Sequence, residues 1–107
     1  MTEKNSGKPL TTLGLCKKAG KLILGFDAVA DGIRRGKAEL LVLTGDLSPK
    51  SKGAITAVAD EHKVRHLSVG AAMDDIERLL GKRAGILAVT DQGLAKVVAR
   101  QVEEESV

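Results

Sequence analysis

Four Gly-Lys pairs are the residues of this chain best suited by type to hold a phosphate: Gly7-Lys8, Gly20-Lys21, Gly36-Lys37 and Gly81-Lys82. The glycine admits an anion to backbone N–H groups, and the lysine supplies charge. No pair is followed by Ser or Thr or preceded by Gly at five residues, so none is a nucleotide-binding P-loop. No GxGxxG follows a predicted strand either. His62 and His66 stand four apart with a predicted helix end between them and no third ligand nearby, so they read as surface histidines. Cys16 occupies a helical core position beside Lys17 and Lys18 and reads as a small buried hydrophobe rather than a reactive thiol. Asp74, Asp75 and Glu77 read as a solvated helix face. Nothing assembles a nucleophile, a base and an oxyanion hole, so no catalytic residue, metal or cofactor is assigned.

Charge is the remaining signal. The net +3 is uneven: residues 1–53 carry +5 and residues 54–107 carry −2. Lys17, Lys18, Lys21, Arg34, Arg35, Lys37, Lys50 and Lys52 make up most of the basic half, with Lys82 and Arg83 a smaller later cluster. Phosphate backbones attract such a face, although solvated surface charge kept for solubility is the competing reading.

The elements that must position these residues belong to one domain of 107 residues, 43% of them hydrophobic, which is enough for a core without disulfides. One Cys suits a reducing, cytoplasmic compartment. No apolar run reaches the roughly 20 residues that span a bilayer, and the polar start lacks a signal-peptide core, so no membrane partner is expected. Phe26 is the one aromatic residue, which argues against base stacking on single strands.

Apolar spacing predicts five helices alternating with four strands. The helices cover Pro9 to Lys18 (ended by Gly20), Gly25 to Gly36, Pro49 to about Lys63 behind Ser48 as N-cap, a stretch with Met73, Ile76, Leu79 and Leu80, and a last one capped by Asp91. The strands are Lys21 to Leu24, Leu40 to Leu43, Arg65 to Val69 and Ile86 to Val89. Val29, Ile33 and Phe26 form the inward face expected of the second helix. The continuous run Leu40 to Leu43 suits a central strand covered on both faces. The predicted class is α/β, a three-layer α/β/α sandwich around a parallel or mixed sheet. A flexible arm is expected over 1–8, the domain over 9–102 and an acidic, frayed tail over 103–107. Loops 45–48 and 81–85 could meet the Gly25 end of the second helix and bring Lys21, Lys50, Lys82 and Arg83 into one basic rim.

Three segments carry a resemblance: Ala19-Gly-Lys-Leu-Ile-Leu-Gly25, Gly36-Lys-Ala-Glu-Leu-Leu-Val-Leu-Thr-Gly-Asp-Leu-Ser48 and Leu80-Gly-Lys-Arg-Ala-Gly-Ile-Leu-Ala-Val-Thr-Asp-Gln-Gly93. In order, spacing and loop composition they resemble the kink-turn RNA-binding ribosomal proteins of the L-seven-Ae and L-thirty-e type, over about Leu10 to Val98. The resemblance implies a four-stranded mixed sheet and a ribosome-associated, non-enzymatic protein. Its partners would be ribosomal RNA or another kink-turn RNA, and ribosomal proteins. Gly25 matches the glycine opening the RNA-reading helix, with Phe26 beside it. Asp27, Ala28 and Asp31 stand where the archaeal pattern has Asn, Glu and Lys. Carboxylates cannot donate to guanine acceptors and are repelled by phosphate, although Asp27 can accept from a base amino group. Arg34, one turn on, is expected to supply the charge missing at Asp31. Lys21 and Lys82 are expected phosphate contacts, Lys37 and Arg83 peripheral ones, and Ile86 the apolar contact of a flipped-out nucleotide. Reading RNA shape and groove edges needs no aromatic platform. The alternative is a protein-interaction module of the same fold that has lost kink-turn affinity.

Overall fold

The computed structural model describes residues 7–105. Along the chain lie α1 (Gly7–Lys18), β1 (Leu22–Leu24), α2 (Phe26–Arg34), β2 (Leu40–Leu43), α3 (Pro49–Glu61), β3 (His66–Ser68), α4 (Met73–Leu80), β4 (Ile86–Val89) and α5 (Gln92–Glu105). Every predicted element is present, with ends within a few residues of those read from spacing.

Local chemistry explains the boundaries. Ser48 caps α3 through its hydroxyl, which accepts from the Ser51 N–H at 3.3 Å, and Pro49 follows at the first helical position. The Asp91 carboxylate accepts from the Leu94 N–H at 2.8 Å and opens α5. Helices α1 and α2 end in the same way. Gly20 (φ 72°) and Gly36 (φ 75°) turn left-handed, and the next residue, Lys21 or Lys37, donates back to Cys16 or Gly32.

The strands order as β1-β4-β2-β3 in one sheet. Strand β4 runs antiparallel to both β1 and β2, pairing Leu24 with Leu87 and Leu43 with Ile86, whereas β2 and β3 are parallel. The sheet is therefore mixed. The two inner strands, β2 and β4, are buried along their whole length, and the edge strands are half-covered. Alternation sorts their side chains. Leu40, Val42, Leu87 and Val89 pack with Leu13, Cys16, Ile76 and Val98 of α1, α4 and α5. Leu41, Leu43, Ile86 and Ala88 pack with Val29, Ile33, Ile55 and Ala59 of α2 and α3. Three layers result.

Three expectations change. Phe26 is 37% exposed and does not join the inward face of α2. Most of the arm expected over 1–8 lies outside the described residues, and its last two, Gly7 and Lys8, already belong to α1. Of the tail expected over 103–107, Glu103 to Glu105 continue α5, and Glu103 forms an ion pair with Arg65, which precedes β3. Among the described residues no helix is long and apolar enough to cross a membrane.

Candidate nucleic-acid interface

Strand direction decides which loops meet. The C-terminal ends of β1, β2 and β3 and the N-terminal end of β4 all lie at one edge of the sheet, through the pairs Leu24–Leu87, Leu43–Ile86 and Leu43–Ser68. The start of α2, the 44–48 loop, the 69–72 connection and the 81–85 loop therefore share this loop end. Backbone hydrogen bonds tie them together. Gly25 N–H donates to Ile86 (2.9 Å), Thr44 N–H to Gly85 (3.0 Å) and Gly45 N–H to Ala71 (2.9 Å). The Asp46 carboxylate crosses over and caps α4, accepting from the Met73 N–H at 3.1 Å. Sequence reasoning misses this brace because residues 46 and 73 are distant along the chain.

Gly25 has φ 95° and ψ 153°, a backbone conformation essentially restricted to glycine. A Cβ there would meet nothing within 4 Å, so the space in front of it is open. No side chain caps α2, and its first-turn N–H groups end at this open surface. Phe26, Asp27 and Ala28 are all exposed around them. At Gly85, by contrast, a Cβ would meet Leu47 and Thr44 at 3.0 Å and Met73 at 3.2 Å. The loops pack so closely there that an added methyl would have to push these side chains aside by a few tenths of an ångström. The Thr44 hydroxyl is buried in this junction with no hydrogen-bond partner among the described residues.

The loop end is not a basic rim. Asp27, Asp46, Asp74, Asp75 and Glu77 match Lys50, Lys52, Arg78, Lys82 and Arg83 one for one. Arg83 is held by an ion pair with Asp74 and a second carboxylate, Glu77, at 3.7 Å, and the Asp74 hydrogen bond raises its pKa further above the ordinary arginine value. Asp74 and Glu77, read as a solvated face, thus neutralise an expected RNA contact. Their i, i+3 spacing beside a basic loop was the available signal. Lys82 is exposed and has no carboxylate partner among the described residues.

The remaining expected residues divide. Lys21 precedes β1 and stands at the opposite edge of the sheet, where its carbonyl accepts from the Thr90 N–H. Four residues of extended chain, about 13 Å, separate it from Gly25. Arg34 ends the last turn of α2, about 14 Å along the helix from Gly25, and Lys37 follows beyond it. Arg35, not Arg34, reaches Asp31, at 2.9 Å. Ile86 is 4% exposed, with its side chain in the core between the sheet and α2 and α3, so what it offers the loop end is its backbone carbonyl. His62 bonds the Val58 carbonyl and His66 the Asp60 carboxylate, each at 3.1 Å. Among the described residues no three His, Cys, Asp or Glu side chains converge as metal ligands.

Residues 9–99 match the model of the ribosomal protein L7Ae/L30e/S12e/Gadd45 family. The chain belongs to this family. Relatives within it bear out the assignment. An RNA-binding protein YlxQ of Bacillus subtilis (strain 168) is 37% identical over 84 residues, covering 78% of this chain and 83% of that protein. The large ribosomal subunit protein eL30B of Schizosaccharomyces pombe is 32% identical over 101 residues, covering 90% and 85% respectively. Among solved structures, a protein of unknown function from Bacillus halodurans C superposes with a TM-score of 0.83 at 24% identity, over 90% of this chain and 97% of that one. A 15.5kD RNA binding protein of Giardia lamblia gives 0.76 at 18%, over 98% and 92%. These two likenesses concern the L7Ae-type fold alone.

Proposed function

We propose that this chain is a non-enzymatic, ribosome-associated protein of the cytoplasm that binds kink-turn-like structured RNA through its loop end. One observation carries the reading: an uncapped helix start opening on a glycine-only conformation lies in hydrogen-bonded register with two further loops, on a family fold. The Bacillus subtilis relative named as RNA-binding supports an RNA ligand, and the yeast relative named as a ribosomal subunit protein supports ribosomal RNA and ribosomal proteins as its surroundings.

In this reading Gly25 lets the RNA backbone approach the first-turn amides of α2. Asp27 accepts from a base amino group in the widened groove, a role open to a carboxylate where a donor would be needed for guanine N7 or O6. Phe26, exposed in the same turn, offers its ring to an unstacked base, and Ala28 leaves room beside it. Lys82 provides the phosphate contact of the 81–85 loop. Asp31 does not oppose binding, because Arg35 neutralises it.

A calorimetric titration against a kink-turn duplex and a straight duplex of equal length tests the reading. The kinked duplex should bind more tightly, and Lys82→Ala should flatten the dependence of log K on log salt by about one unit. Equal affinity for the two duplexes would refute shape recognition.

A further inference from the structure

Six cations are gathered at the opposite end of the molecule, where the carboxylates of Asp31, Glu39 and Asp91 also lie. Helices α1 and α2 lie on opposite faces of the sheet, yet both end beside the same strand terminus. Lys21 accepts through its carbonyl from Thr90 N–H, and Glu39 donates to Val89, so the starts of β1 and β2 flank the end of β4. Two strand spacings, about 10 Å, separate them. Each helix closes with the same sequence device, a basic pair, a left-handed glycine and a lysine: Lys17-Lys18-Ala-Gly-Lys21 and Arg34-Arg35-Gly-Lys37. All six cations are exposed. Arg35 is paired with Asp31, and none of the other five has a carboxylate partner among the described residues.

We propose that this end is a second nucleic-acid contact, which holds the phosphate backbone of an RNA duplex without regard to its shape or sequence. The two turns themselves present only Lys, Arg, Gly and Ala, and the exposed apolar side chains nearest in the fold, Leu15 and Leu79, lie outside them between α1 and α4. A Cβ at Gly20 or Gly36 would meet nothing within 4 Å, so the backbone there is open to close approach. Cations on an open surface are what a polyanion requires, because binding is driven by counterion release and not by shaped pockets. This contact goes beyond the loop-end reading, and only the choice of RNA rests on it. With one site at each end of the sheet, a single chain can touch two RNA segments.

The test uses a straight RNA duplex, which has no kink for the loop end to read. The triple variant Lys21→Gln, Arg34→Gln, Lys37→Gln should bind it at least tenfold more weakly near 0.1 M salt. Its salt slope should be flatter by two to three units, at about 0.9 for each phosphate that the variant no longer neutralises. Its ratio of kinked to straight affinity should stay that of the wild type. A triple variant with unchanged slope and affinity overturns the proposal, and so does displacement of the duplex by polyglutamate of matched charge at equal concentration. Failure of the loop-end reading looks different: the wild type then binds kinked and straight duplexes alike while the triple variant still loses slope. Should the triple variant not fold, acetylation of wild-type lysines gives the answer. Lys21 and Lys37 must be protected by the duplex while Lys52, exposed at the loop-end start of α3, is not, and equal labelling of all three refutes the second contact.

Discussion

Gly25 shows how one residue serves both backbone and surface. Its dihedral angles lie where a Cβ costs about 1–3 kcal/mol, and nothing in the structure would clash with the added methyl. Gly25→Ala should therefore lower stability by that amount, read from chemical denaturation, and weaken kink-turn affinity as well, read by titration. Stability unchanged within about 0.5 kcal/mol would mean that the strained conformation is not populated. The glycine is legible in the sequence because it opens a predicted helix after a predicted strand. The fate of its charged neighbours is not. Whether Arg34 or Arg35 reaches Asp31 depends on side-chain direction around the last turn of α2, which sequence spacing leaves open at both i+3 and i+4. Arg83 likewise reads as an RNA contact along the chain, and only the folded position of α4 sets its carboxylate partners against it.

At the scale of elements, helix ends follow local rules and are legible where glycine or a capping hydroxyl or carboxylate marks them. Helix α3 departs from the rule. It closes in the same hydrogen-bonding pattern as α1 and α2, with Val64 donating to Ala59 and Lys63 to Asp60, but the left-handed residue is Lys63 at φ 58°. A lysine there carries about 1 kcal/mol of strain, whereas glycine would carry none and lose somewhat more entropy on folding. Lys63→Gly should thus raise stability by about 0.5 kcal/mol, and Gly36→Ala, the reverse exchange in α2, should lower it by about 1 kcal/mol. Thermal melts of the two variants shifting in the same direction would contradict this account. The apolar pattern alone places the α3 end near Lys63, since no glycine announces it.

For the molecule as a whole, Cys16 reports on global stability. It is 0% exposed in the core between the sheet and α1, α4 and α5. Burial, and secondarily the charge of Asp91, pushes its pKa above the ordinary thiol value. A thiol raised in the folded state stays neutral where the unfolded chain would already ionise. Its contribution is complete below the unfolded pKa and is lost as pH climbs toward the folded one. Stability should accordingly decline above about pH 8.5 more steeply in the wild type than in Cys16→Ala. Labelling of the native thiol should proceed only through opening of the core, at a rate that follows unfolding. Rapid labelling of the folded protein would show that the core around α1 is loose.

The sequence by itself determined the elements, their order, most of their ends and the family resemblance. Those depend on neighbours three or four residues apart along a helix and two apart along a strand, and on segments that keep their own spacing. The continuous apolar run Leu40 to Leu43 even announced an inner strand, while the inner place of Ile86 to Val89 came only with the sheet order. Only the tertiary structure decided which loops and which charges share a surface. Strand β4 inserts antiparallel between β1 and β2, a long-range pairing with no local signature. It brings residues 25, 44–48 and 81–85 to one end and sends Lys21, Arg34 and Lys37 to the other. Lys21, read from the sequence as part of a basic rim with Lys50, Lys82 and Arg83, thereby stands apart from them, and Arg83 faces the carboxylates of α4.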